Sequence, residues 1–149
     1  MKKMIVFDMD GTIANLYAVD GWLDMLRAEN PAPYEMAEPM YNMNELNETL
    51  NMLREKGWKV VITTWLAMDA TAEYNKAVTK AKKEWLQKYN FPADEIHCVK
   101  YGRTKADCTR KKADFQILID DNKKVRDGWT LGTTVNANYD ILPFLKALI

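Results

Sequence analysis

The sequence predicts an α/β fold: a mostly parallel five-stranded sheet between two helical layers, with a small insertion after the first strand. Three observations lead there. Short β-branched and aromatic runs recur along the chain, as in "MIVFDM" (4–9) and "WKVVITTW" (58–65). Stretches with apolar residues at helical spacing alternate with them, and glycines or prolines mark the joins. Strands alternating with helices imply right-handed crossovers that cover a parallel sheet on both faces.

"MIVFDM" is short, apolar and closed by Gly11, as a buried strand should be. Residues 14–42 then break the alternation with Pro31, Pro33 and Pro39 among the aromatics Tyr17, Trp22, Tyr34 and Tyr41. One helix over residues 17–29 and irregular chain beyond it are expected, forming a surface loop or a lid. Met43, Leu46, Leu50 and Leu53 define the next helix, with Gly57 at its C-cap. "WKVVITTW" is the second strand. Tyr74, Val78, Ala81, Trp85 and Tyr89 form one stripe of a long helix, with lysines assigned to the solvated face. "EIHCV" (95–99), "FQILID" (115–120) and the weaker "TTVNA" (133–137) supply the remaining strands, and "DILPFLKALI" (140–149) closes the chain as a helix. The layout is Rossmann-like, with one domain over 1–149: a core of 1–13 and 43–149 and a small cap at 14–42.

Composition excludes several classes. A chain of 149 residues, 48% hydrophobic and 28% charged, can bury a core as an ordinary soluble domain. No apolar run nears the roughly 20 residues of a membrane helix. The N-terminal run, cut by Asp8 and Asp10, lacks the features of a signal peptide. Cys98 and Cys108 cannot build a disulfide framework, so a cytoplasmic location is expected. Zero net charge argues against non-specific nucleic-acid binding. The charge is uneven, however: residues 1–57 hold ten acids and five bases, whereas residues 100–126 hold nine bases and four acids. That basic stretch reads either as solvated helix faces or as an anion-facing side.

Ligands of open parallel sheets bind beyond the carboxyl ends of the strands. Those ends carry Asp8 and Asp10 with Gly11 and Thr12, then Thr63 and Thr64, then Asp120, Asp121 and Asn122. Lys105 lies in "YGRTKAD", between strands three and four. Aspartates gathered in one crevice repel and raise one another's pKa values. A hard divalent cation and a lysine would offset them, and few carboxylates with several waters suit Mg²⁺ better than Ca²⁺. One aspartate then serves as nucleophile and its neighbour as acid and base, while hydroxyl and lysine donors hold phosphoryl oxygens. Each piece alone has a plainer reading: Asp-Gly as a turn, Thr63-Thr64 as β-formers, Asp120-Asp121-Asn122 as a helix N-cap. An EF-hand fails, because its loop positions six and twelve fall on Ile13 and Val19.

In that order the motifs resemble the haloacid dehalogenase (HAD)-like hydrolases, which mostly cleave phosphomonoesters with Mg²⁺. "FDMDGTIA" resembles their first signature, "VVIT" their second, Lys105 their third and "ILIDDN" their fourth. The resemblance implies Asp8 as the nucleophile forming an aspartyl-phosphate. Asp10 would be the acid and base, with its backbone carbonyl toward the metal. Thr63 would hold a phosphoryl oxygen, with Thr64 beside it, and Lys105 would steady Asp8 and the transferred group. Asp8, Asp10, Asp120 and Asp121 would make the Mg²⁺ site, with either Asp120 or Asp121 as direct ligand. Lys100 and Lys111 share the interval, but the glycine-bearing turn favours Lys105. The small cap implies an open site, or one completed by a second subunit as in a dimer. Among these hydrolases the compact layout is similar to 5'-nucleotidases and to the 3'-phosphatase domain of polynucleotide kinases. The partner implied is a nucleotide or another small phosphate ester, with a nucleic-acid 3' end as the alternative. Tyr17, Trp22 and Trp65 are candidates to touch substrate or to pack the cap, and His97 reads as core or rim. A receiver-like phospho-aspartate module shares the sheet and the ion, but its acidic pair follows the first strand.

Overall fold

The computed structural model describes all 149 residues. Its strands are β1 (Lys3–Phe7), β2 (Trp58–Trp65), β3 (Glu95–Val99), β4 (Phe115–Asp120) and β5 (Gly132–Asn136). They form one sheet in the order β3-β2-β1-β4-β5, with every pairing parallel. The helices are α1 (Trp22–Arg27), α2 (Ala32–Met36), α3 (Met43–Glu55), α4 (Ala72–Lys88), α5 (Ala106–Thr109), α6 (Lys123–Asp127) and α7 (Leu142–Ala147). No helix is long and apolar enough to cross a membrane.

The period of two along β1 divides the molecule into layers. Ile5 and Phe7 join a core of 21 buried residues that includes Leu46, Leu50 and Leu53 of α3, Trp85 and Leu86 of α4, and Leu145 of α7. Met4 and Val6 face the other way, into a cluster of six with Ala106 of α5 and Trp129 beyond α6. The second layer is thin because its helices span only four and five residues. Side-chain caps begin the long helices: Asn42 accepts from the Glu45 amide at α3, and Thr71 from the Tyr74 amide at α4.

The insertion differs from the single helix expected over residues 17–29. A 3-10 turn at Leu16–Ala18 comes first, and α1 begins only at Trp22. Between them Gly21 takes a left-handed φ of 72°, which no continuous helix contains. The stretch expected to be irregular holds α2, with Pro33 in its first turn, where a missing N–H leaves no bond unmade.

Helix α4 secures this insertion. The Tyr74 hydroxyl donates to the Asn30 carbonyl at 2.9 Å, and Trp85 Nε1 donates to the Ala37 carbonyl at 2.7 Å. The Glu29 carboxylate accepts from the Thr71 amide at 3.0 Å and the Thr71 hydroxyl at 2.7 Å. Leu16 and Tyr34 pack with Ala67, Tyr74, Val78 and Ala81 into a third small core.

Leu50 lies wholly inside the larger core. Leu50→Ala should therefore cost about 2–5 kcal/mol, read as a lower urea midpoint at unchanged slope.

Candidate active site

The strand order reverses direction between β1 and β4, the point where open α/β sheets hold ligands. The Asp8 amide donates to the Ile119 carbonyl at 2.9 Å, which sets Asp8 beside Asp120. Lys105, the residue before α5, lies between them. Its Nζ is 2.9 Å from Asp8 Oδ1 and 2.8 Å from Asp120 Oδ2. The Thr12 hydroxyl holds the other Asp8 oxygen at 3.2 Å, and the Asn122 amide donates to Asp120 Oδ1 at 2.9 Å. An ammonium has three N–H bonds, so Lys105 keeps one for a ligand. Lys100 and Lys111 are exposed, which singles out Lys105 as the lysine of this crevice.

Asp121 completes an acidic trio. Carboxylate oxygens of Asp8, Asp120 and Asp121 lie within 4.8 Å of one another. With Asp10 the crevice holds four carboxylates against the ammonium groups of Lys105 and Lys82. The all-oxygen donor set and this surplus of negative charge fit a hard divalent cation. Gly11 makes the approach possible: its φ is 78°, and a Cβ there would strike the Asp121 carboxylate and the Tyr17 ring.

Asp10 stands apart from the trio. Its Oδ2 accepts from Lys82 Nζ at 2.9 Å, and its Oδ1 makes no hydrogen bond. Lys82 also donates to the Thr64 hydroxyl at 2.6 Å and the Trp65 carbonyl at 2.8 Å. Thr63 and Thr64, adjacent on β2, point to opposite faces. Thr64 lines the cleft with its hydroxyl on Lys82. Thr63 lies on the strand beside Asp8, its hydroxyl buried and without a partner.

Burial raises the Asp10 carboxyl above its usual range, against the pull of Lys82 and with Asp8 adding to the rise. Asp120 is raised by burial and by the Asp8 charge. Asp121 is pushed up to about 8 by burial, then by the charge and hydrogen bonding of Asp8 and the charge of Asp120. Burial works against the Lys105 ammonium, but Asp8 and Asp120 hold its pKa above the usual value. Tyr17 is raised by burial and by the surrounding aspartates.

A cleft of about 380 Å³ opens above these groups. Tyr17 and Trp22 pack edge to face at 5.0 Å on its insertion side. Trp65 and Tyr101 pack at 5.0 Å on the β2 side, with Trp65 Nε1 donating to the Arg103 carbonyl at 2.8 Å. All four rings line the cleft, alongside Leu16, Leu26 and Tyr34. His97 sits on β3, half-buried against Glu95 at 3.1 Å, away from the crevice. Cys98 and Cys108 are unpaired. Two residues of the site lie outside the motifs: Lys82 and Arg126, whose Nη1 donates to the Asp120 carbonyl at 3.0 Å. For Lys82 the signal was its position, four residues after Val78 and three before Trp85, on the apolar stripe itself.

No protein-family model and no curated protein matches the sequence. Among solved structures, D,D-heptose 1,7-bisphosphate phosphatase from Burkholderia thailandensis aligns over 97% of this chain and 96% of its own, at 14% identity and a TM-score of 0.55. The HAD domain of the effector protein Lem4 from Legionella pneumophila aligns over 91% of this chain and 85% of its own, at 18% identity and a TM-score of 0.45. The chain shares its α/β fold with that heptose bisphosphate phosphatase, and its acidic residues stand at the carboxyl edge of the sheet.

A carboxyl with a folded pKa above its unfolded value stabilises the fold below the unfolded pKa, and that contribution fades as pH rises through the folded value. For Asp121 the window runs from about 4 to about 8. The metal-free protein should therefore lose urea stability between pH 5 and pH 8.5. A divalent cation held by the acidic trio of the folded state would remove most of the difference.

Proposed function

We propose that the chain is a Mg²⁺-dependent phosphomonoester hydrolase working through an aspartyl-phosphate on Asp8, with a nucleotide or similar small phosphate ester as substrate. The observation that carries this reading is the Asp8 carboxylate, held between Lys105 and Thr12 at the sheet's switch point with Asp120 and Asp121 beside it. A phosphatase spanning nearly the same length with the same fold supports the reaction class.

Asp8 attacks phosphorus as the ester P–O bond breaks, and the leaving oxygen takes the proton of Asp10. Asp10 then takes a proton from water as the water oxygen bonds phosphorus and the bond to Asp8 breaks, freeing phosphate. The raised pKa of Asp10 suits a group that must first hold a proton and then accept one. The remaining N–H of Lys105 is a donor for phosphoryl oxygens. Mg²⁺ on Asp8, Asp120 and Asp121, with the Asp10 carbonyl, would offset phosphoryl charge.

A small ester is favoured over a nucleic-acid 3' end by how the basic stretch is used. Lys112 pairs with Glu95, Arg110 with Asp107 and Lys123 with Asp127, as solvated faces do. Cleft and rings suit a compact leaving group, and an aromatic base can stack there.

Hydrolysis of p-nitrophenyl phosphate should require Mg²⁺, stop with EDTA and fall to background in Asp8→Asn; activity surviving that substitution would overturn the nucleophile.

A further inference from the structure

Lys82 is the most deeply enclosed cation of the molecule: none of its surface is exposed, while Lys76, Lys80, Lys83 and Lys88 of the same helix are exposed. Its three N–H bonds are all committed, to Asp10 Oδ2, the Thr64 hydroxyl and the Trp65 carbonyl. The Tyr34 ring of the insertion covers Nζ, its centroid 5.1 Å away. With no free donor and no access, Lys82 cannot bind a substrate. Lys105 differs on that point, holding two acceptors and keeping a third N–H.

What Lys82 controls is the direction of Asp10. One carboxylate oxygen is tied to Nζ, and the other makes no hydrogen bond in a side chain that lines the cleft. The amine is itself fixed from three elements: α4 carries it, the end of β2 accepts from it, and the insertion caps it.

We infer that Lys82 is a positioning residue, which holds Asp10 so that its unbonded oxygen faces the leaving group and then the attacking water. This rests on the hydrolase reading above. An acid contributes only from within hydrogen-bond reach of the atom it protonates, so a misplaced Asp10 loses proton transfer while Asp8 still attacks. The consequence depends on the ester. An alkoxide leaving from phosphorus must take the Asp10 proton as the P–O bond breaks, whereas p-nitrophenolate departs as a stable anion without one. Both share the second step, in which Asp10 takes a proton from water.

The test is Lys82→Met assayed with saturating Mg²⁺ on glycerol 2-phosphate and p-nitrophenyl phosphate. On glycerol 2-phosphate kcat/KM should fall by about 10²-fold, and on p-nitrophenyl phosphate by less than about 3-fold. On the latter, kcat should fall, with a burst of one p-nitrophenolate per enzyme as the aspartyl-phosphate waits for its water. In an Asp10→Asn background, adding Lys82→Met should change neither ester's rate further. That double variant leaves no buried carboxylate unpaired, so it serves as the comparison if the single variant does not fold. Equal losses of kcat/KM on both esters in a folded Lys82→Met, or a further loss in the Asp10→Asn background, would overturn the assignment and leave the hydrolase standing. A wild-type chain inactive on both esters would overturn the hydrolase and this role with it.

Discussion

Two carboxylates at neighbouring strand ends can share a buried crevice only with a cation between them, and Lys105 is that cation. Strand order makes the need unavoidable: β1 and β4 are adjacent, so whatever follows Phe7 lies beside whatever follows Ile119. In a poorly solvated site the mutual repulsion is far stronger than in water. The chain meets it with an amine from the connection between β3 and β4, on the thin face of the sheet. The same logic repeats on the thick face, where α4 delivers Lys82 to Asp10. Asp8 and Asp10 are two residues apart in sequence, yet each sits with its own lysine. That division makes two identical side chains chemically different.

Much of this was legible in the sequence, because it depends on period and order. All five strands, the long helices α3 and α4, and the set Asp8, Asp120 and Asp121 follow from apolar runs and from what stands at their ends, whereas Lys105 rests on the resemblance and on the glycine-bearing turn before it. The period of two along β2 separates Thr63 from Thr64, but it does not say that Lys82 occupies the second. Lys82 was hidden by a sound generalisation: a lysine on an amphipathic helix belongs to the wet side. Its placement on the stripe of Val78 and Trp85 carries information only once a buried acceptor is known to exist opposite. The break at Gly21 was illegible for another reason, since one left-handed residue decides it and the surrounding apolar spacing continues regardless.

The insertion is anchored unevenly. Tyr74, Trp85 and Thr71 bond it at Asn30, Ala37 and Glu29, Tyr34 lies against Lys82, and a small core fills the space beneath. The half that carries Tyr17 and Trp22 has none of these bonds, for α1 buries no residue and follows the left-handed Gly21. The rings that meet an arriving molecule on that side thus stand on the least anchored part of the insertion.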